Sequence, residues 1–217
     1  MSEKPKNKIG LLIFDFDGVL ADSFDTFYPL MHNVMKHIGL SLTPNQYRDF
    51  FIDNVHQSIK NFINDENKYA SAMKFRNSNY NKYYNEKSHR AKLFSGTTKF
   101  LEEISKDYVL TIASSGRIDN IKKLLEENGV INLFSEILAN TAVSKEGMLK
   151  KIMDKFMAVP EKTIMITDTV GDLMVAKETR LKTAAVTWGF HSHKLLKSAN
   201  PDFLVSDFKE LRNVLMN

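Results

Sequence analysis

Cysteine is absent from the chain. That excludes a disulfide framework, a thiolate zinc site and a cysteine nucleophile, and it suits a reducing cytosol. Proline and glycine are sparse, five and nine in 217 residues, and they nowhere gather into a low-complexity linker. No long hydrophobic run is present either. The polar start, MSEKPKNK, leads into an apolar segment that meets Asp15 too soon to be a signal-peptide core or a membrane span. Neither sign of charge dominates, with 30 Lys and Arg against 26 Asp and Glu. The basic residues are spread along the chain with no block interleaved with aromatics, so nucleic acid is not an expected partner. These absences lead to the expectation of a soluble, cytoplasmic protein, monomeric or homodimeric, with no membrane partner.

What is present is a regular alternation. After about residue 93, short β-branched runs recur at YVLTIASS (108–115), EILA (136–139), TIMITD (163–168) and TAAVTW (183–188), with a weaker fifth, DFLVSD (202–207). Between them lie stretches with helical apolar spacing, such as Ile118, Ile121, Leu124 and Leu125, or Leu149, Ile152, Met153 and Phe156. Strands alternating with helices predict an α/β fold, a Rossmann-like parallel sheet with helices on both faces. The opening run, Ile9 to Phe14, is nearly all apolar, as a central parallel strand requires.

Residues 23–92 read differently. FDTFYPLMHNVMKHIGL has helical periodicity and stops at Gly39, and Thr43-Pro44 reads as an N-cap with a first-turn proline. The stretch from Gln46 to Arg90 is aromatic and rich in Asn and Lys, with no strand pattern. The expected organisation is therefore a core domain from residues 1–22 and 93–217, carrying an all-helical cap domain, 23–92, inserted after the first strand. Gly96 marks the return to the core.

Ligands of open parallel sheets bind outside the carboxyl ends of the strands, and charged residues here sit at those ends repeatedly. Asp15 and Asp17 follow the first strand, Ser114, Ser115 and Gly116 end the second, and Asp168 ends TIMIT with Asp172 just beyond. Lys145 opens the helix after EILA, with Lys150 and Lys151 as further candidates. The chemistry that fits is phosphoryl transfer to a carboxylate nucleophile. Asp15 would attack phosphorus and Asp17 would serve as general acid and then base. Two anions approach each other only across a cation, and Mg2+ suits an all-oxygen donor set of Asp15, the Asp17 carbonyl and Asp168, with Asp172 behind it holding bound water. Ser114, with the amides of Ser115 and Gly116, would hold the phosphoryl oxygens, and Lys145 would neutralise remaining charge. The six histidines, His32, His37, His56, His89, His191 and His193, have no spacing that suggests a metal site and are read as structural or solvated.

The motifs DFDGVLADS, IASSG, SKEG and ITDTVGDLMVAKETRLKTAAVTWGFHS together resemble the haloacid dehalogenase-like hydrolase superfamily, in its phosphoglycolate phosphatase and β-phosphoglucomutase branch with a small helical cap. The resemblance implies that Asp15 is the nucleophile, Asp17 the acid/base and Asp168 a magnesium ligand. It implies an Mg-dependent phosphatase acting on a small phosphorylated metabolite. The alternatives are a phosphomutase on the same core and a non-catalytic binding protein. Dehalogenation is disfavoured, because dehalogenating members lack an Asp at the position of Asp17.

Overall fold

The structure, a computed structural model, describes residues 10–85, 90–139 and 143–216. Ile9 of the opening run and His89 lie outside the described residues. The first strand, β1 (Gly10–Phe14), places Leu12 and Phe14 on one face and Leu11 and Ile13 on the other, and each pair joins a different hydrophobic cluster. A strand buried on both faces needs this continuous apolar run, and each fully buried side chain contributes about 1.5–3 kcal/mol. The chain then passes through a short strand, β2 (Ala21–Asp22), into four helices, α1 (Phe24–His37), α2 (Pro44–Asp49), α3 (Val55–Ile63) and α4 (Glu66–Asn85). It returns through β3 (Lys92–Leu93), which pairs antiparallel with β2. The outgoing and returning connections thus run side by side. Two-residue strands carry no periodicity, and the sequence gives no sign of this ribbon.

The helical segment forms where its local signals place it. Gly39 follows α1 with φ of +79°, and Thr43 caps α2 in a reciprocal capping box with Gln46, with Pro44 in the first turn. Leu30, Val34, Met35, Tyr47, Phe50 and Ile59 form its own hydrophobic cluster.

From β3 onward the elements alternate: α5 (Thr97–Ile104), β4 (Tyr108–Ser114), α6 (Ile118–Glu127), β5 (Phe134–Ala139), α7 (Lys145–Phe156), β6 (Thr163–Thr167), α8 (Val170–Glu178), β7 (Lys182–Val186), α9 (His193–Ser198), β8 (Phe203–Val205) and α10 (Phe208–Met216). Gly96, at φ of +89°, caps α5 where the chain re-enters this layer. The six long strands form one parallel sheet in the order β5-β4-β1-β6-β7-β8. The fold is Rossmann-like α/β, as the alternation predicts. Strand succession runs outward from β1 through β4 to β5, then resumes at β6 on the other side of β1. That reversal opens a crevice at the carboxyl end of β1. Among the described residues no helix is long and apolar enough to cross a membrane.

Candidate active site

The Asp15 amide donates to the Ile166 carbonyl at 2.9 Å, which extends the β1–β6 ladder one residue past β1. The side chain thereby emerges in the crevice, and it is largely buried. Its Oδ1 accepts from the Phe16 amide at 2.8 Å and from Lys145 Nζ at 2.9 Å. Its Oδ2 has no hydrogen bond among the described residues. The chain then turns sharply, with the Leu20 and Ala21 amides donating to the Phe16 carbonyl and Gly18 at φ of +78°. That turn brings the Asp17 carboxylate next to the loop after β4, where an atom added to Gly116 would sit 3.2 Å from both Asp17 Oδ2 and Ser114 Oγ.

Of the three lysines, Lys145 is the one that reaches these carboxylates among the described residues. Ser144 caps α7, so Lys145 stands at the first helical position and reaches inward. Its three protons go to Asp15 Oδ1, to the Ala113 carbonyl at 2.8 Å and to Asp172 Oδ2 at 2.8 Å, which is every donor an ammonium has. Burial opposes its charge, but Asp15 and Asp172 outweigh burial and hold its pKa above the ordinary lysine value. Lys150 is exposed and pairs with Glu146, and Lys151 is exposed. Asp172 is a partner of Lys145 and accepts a 3.4 Å bond from the Thr167 hydroxyl.

Asp168 is fully buried. Its Oδ2 accepts from the Phe190 amide at 2.6 Å, and Oδ1 has no hydrogen-bond partner among the described residues. Gly18 and Gly189 press their backbones against this carboxylate so closely that a side chain on either would overlap it. Burial pushes Asp168 up to about 7, with the Phe190 amide opposing and Asp172 and Asp17 adding to the rise. Burial likewise raises Asp15 and Asp17. Lys145 opposes the rise at Asp15, and the Ser23 hydroxyl and Lys145 oppose it at Asp17.

Four carboxylates against one lysine make a site short of positive charge, and a divalent cation fits it. Hard oxygen donors are at hand in Asp15, the Asp17 main-chain carbonyl and the unpartnered Oδ1 of Asp168, in a cradle only glycines permit. Among the described residues no three acidic or imidazole side chains are gathered closely enough to hold an ion by themselves. The fit is thus to an ion held by few carboxylates and completed by water or substrate. Ser114 Oγ accepts from the Gly116 amide at 3.0 Å, which leaves its own proton to donate elsewhere. Ser115 is exposed.

A small cavity lies between this site and the helical segment, lined by Asp17, Phe27, Tyr80, Tyr84, Arg117 and Asn120 among others, with room for about one water molecule. A larger, shallow depression along β5 lies away from these carboxylates and carries no comparable chemistry.

The seam between core and helical segment uses groups that the sequence does not flag. The first amides of α8 have no partner within the helix. The Val170 amide donates to His191 Nδ1 at 3.0 Å, the Gly171 amide to the Phe51 carbonyl at 3.1 Å, and the Asp172 amide to its cap, Thr169 Oγ1. With Nδ1 accepting, the His191 proton is on Nε2, which donates to the Arg48 carbonyl at 3.0 Å. Phe190, whose amide holds Asp168, inserts its ring edge-on among Phe24 and Phe51 of the helical segment.

Comparison with known proteins supplies a family. The family described as haloacid dehalogenase-like hydrolase matches residues 12–186. The chain belongs to the haloacid dehalogenase-like hydrolases. It is a hydrolase of the phosphatase type found among the relatives of this family. One, a phosphoglycolate phosphatase of Aliivibrio fischeri, is 22% identical over 95% of this chain and 96% of its own. Another, the pyrophosphatase PpaX of Oceanobacillus iheyensis, is 25% identical over 95% and 97%. The fold of a haloacid dehalogenase-like hydrolase from Streptococcus pneumoniae superposes with a TM-score of 0.82 at 23% identity, over 95% of this chain and 98% of the other.

Proposed function

We propose that this hydrolase is a magnesium-dependent phosphatase that cleaves a small organic phosphomonoester through an aspartyl-phosphate on Asp15. The observation that carries the reading is the Asp15 carboxylate, with Oδ1 clamped by Lys145 and the Phe16 amide and Oδ2 open to react. Asp15 Oδ2 attacks phosphorus and forms the acyl-phosphate bond as the ester oxygen departs, taking a proton from Asp17. Asp17, now anionic, removes a proton from water, which attacks the same phosphorus. Phosphate leaves and the Asp15 carboxylate is restored. Ser114 donates its hydroxyl proton to a phosphoryl oxygen, with the amides of Ser115 and Gly116 beside it, and Lys145 holds Asp15 in register while balancing charge. Asp172 keeps Lys145 in place. Asp15, Asp168 and the Asp17 carbonyl would hold Mg2+, which would supply the positive charge that lets two anions meet.

Water is the phosphoryl acceptor in this reading, as suits relatives that are named phosphatases. Residues 23–92 would work as a cap domain that closes over the site and excludes bulk water. The substrates in the relatives' names are small phosphorylated compounds, which suits the same reading, and a soluble substrate of that kind suits a cysteine-free cytoplasmic protein. Stripping divalent ions with a chelator should abolish hydrolysis of a phosphomonoester panel, and Mg2+ should restore it. Full turnover in excess chelator would contradict the reading.

A further inference from the structure

We propose that Phe190 couples the metal site to the docking of the helical segment, so that cation binding at Asp168 and closure of that segment strengthen each other. The inference rests on the metal-dependent reading above and adds what controls the site. The chain after β7 crosses the seam in four consecutive residues. Trp188 Nε1 donates to the Val19 carbonyl at 3.0 Å, in the turn that follows β1. Gly189 lies so close to Asp168 that an added methyl group would overlap its Oδ2 and Cβ and the Gly18 carbonyl oxygen. Phe190 donates its amide to Oδ2 of the same carboxylate at 2.6 Å. His191 donates its amide to the Asp168 carbonyl at 3.3 Å and its ring proton to the Arg48 carbonyl.

Phe190 belongs to two neighbourhoods at once. By chain position it is part of the core, yet its ring is buried in the hydrophobic cluster of the helical segment. It meets Phe24 edge-on with 5.3 Å between ring centres, Phe51 edge-on at 5.0 Å and Tyr47 at 6.3 Å. All three partners come from the helical segment, so a segment that draws back strips the ring of these walls. The amide of the same residue is the one hydrogen bond that another residue gives the Asp168 carboxylate among the described residues. Ring and amide share one α-carbon, and neither can shift far without the other. A ligand oriented beforehand binds an ion more tightly than one that must first be ordered, and hydrogen bonds behind metal ligands are commonly worth roughly 10- to 100-fold in affinity. Coupling of this kind is reciprocal: whatever docking adds to cation affinity, a bound cation returns to docking. Phe190 is thus a positioning residue that acts through Asp168.

The test titrates Mn2+, an ion suited to the same oxygen donors, and follows loss of the free-ion electron paramagnetic resonance signal. Mg2+ serves as competitor and Asp168→Asn gives the background. Phe190→Ala keeps the amide and removes the ring, and it should raise the dissociation constant by about tenfold or more. Phe51→Ala removes one wall of the ring's pocket from the helical segment and should raise it by a smaller factor. Phe190→Leu keeps apolar bulk and should recover part of the loss. Added Mg2+ should slow hydrogen exchange at residues 170 and 171 in the intact protein, and that protection should be lost in Phe190→Ala. Measured well below each unfolding midpoint, a loss of stability alone leaves the binding constant where it was. If Phe190→Ala fails to fold, Phe190→Leu and Phe51→Ala carry the same comparison. Cation affinity unchanged in the folded variants, or seam exchange indifferent to Mg2+, would overturn the inference and leave the phosphatase reading standing. If the intact protein binds the cation no better than Asp168→Asn, the metal-dependent reading falls and takes the inference with it.

Discussion

Gly171 offers a perturbation whose effects on folding and on closure have opposite signs. It is the second residue of α8, where alanine is the better helix former by up to about 1 kcal/mol. A methyl group there would stand 2.9 Å from the carbonyl oxygens of both Phe51 and Asp53 and 3.3 Å from that of Ile52. Those are backbone atoms and cannot turn aside, so the helical segment must draw back from the core. The Gly171–Phe51 hydrogen bond would stretch, and the adjacent His191–Arg48 bond would stretch with it. At about 0.5–1.5 kcal/mol net for each bond, closure loses roughly 1–3 kcal/mol, and the closing equilibrium constant falls roughly 5- to 150-fold. The core and the helical segment each have their own hydrophobic cluster, joined at Phe190, so the fold itself survives. Gly171→Ala should therefore leave the thermal midpoint nearly unchanged while kcat/KM falls by about that factor. Hydrogen exchange at residues 170 and 171 should accelerate in parallel. Unchanged kcat/KM with unchanged exchange would refute the idea that this seam governs closure.

Other consequences follow from the buried charges. Lys145→Met removes the only cation touching Asp15 and Asp172 among the described residues and should destabilise the protein by about 3–5 kcal/mol in urea unfolding; a loss below about 1 kcal/mol would mean that the two carboxylates are already compensated. Asp15→Asn keeps the shape of the side chain and should lower turnover by on the order of 10³-fold or more with the fold intact, judged by circular dichroism beside a phosphate-release assay. His191 is held neutral: burial lowers its pKa, Asp49 and Asp172 oppose this, and the Arg48 charge adds to it. The unfolded chain then binds the extra proton first, so His191 contributes stability at higher pH that is lost as pH falls through about 6.5. With the intrinsic base-catalysed rate divided out, the protection of the Val170 amide should fall over that range in the intact protein, and His191→Asn should lose that dependence.

The parts of this architecture that were legible in the sequence are those with local causes. The strands from β4 to β8 are β-branched runs with helical spacing between them, and the order of strand ends predicts where Asp15, Asp17, Ser114, Lys145 and Asp168 come together. Gly39, Thr43-Pro44 and Gly96 marked their boundaries because caps and left-handed turns depend on a few adjacent residues. What could not be read was set by contacts distant along the chain. Nothing near Gly171 signals that the carbonyls of residues 51–53 will lie against it. Asp172 reads as one more acid near a metal until Lys145, 27 residues earlier, is seen to hold it. Phe190 looks like an ordinary aromatic, yet its amide grips Asp168 and its ring lies among the rings of the helical segment. Arg117 follows a recognisable loop, but only the arrival of α4 gives it Tyr80 and Asn81 as neighbours.

The central claim is that Asp15 carries the phosphoryl group. Rapid acid quench during turnover, followed by borohydride reduction, converts an aspartyl-phosphate into homoserine at the position of the nucleophile. Mass spectrometry of the digested protein should find homoserine at residue 15 in the presence of substrate and Mg2+, and none when either is omitted. Homoserine at another aspartate, or steady turnover that leaves residue 15 unmodified in a quench fast enough to catch the intermediate, would contradict the account.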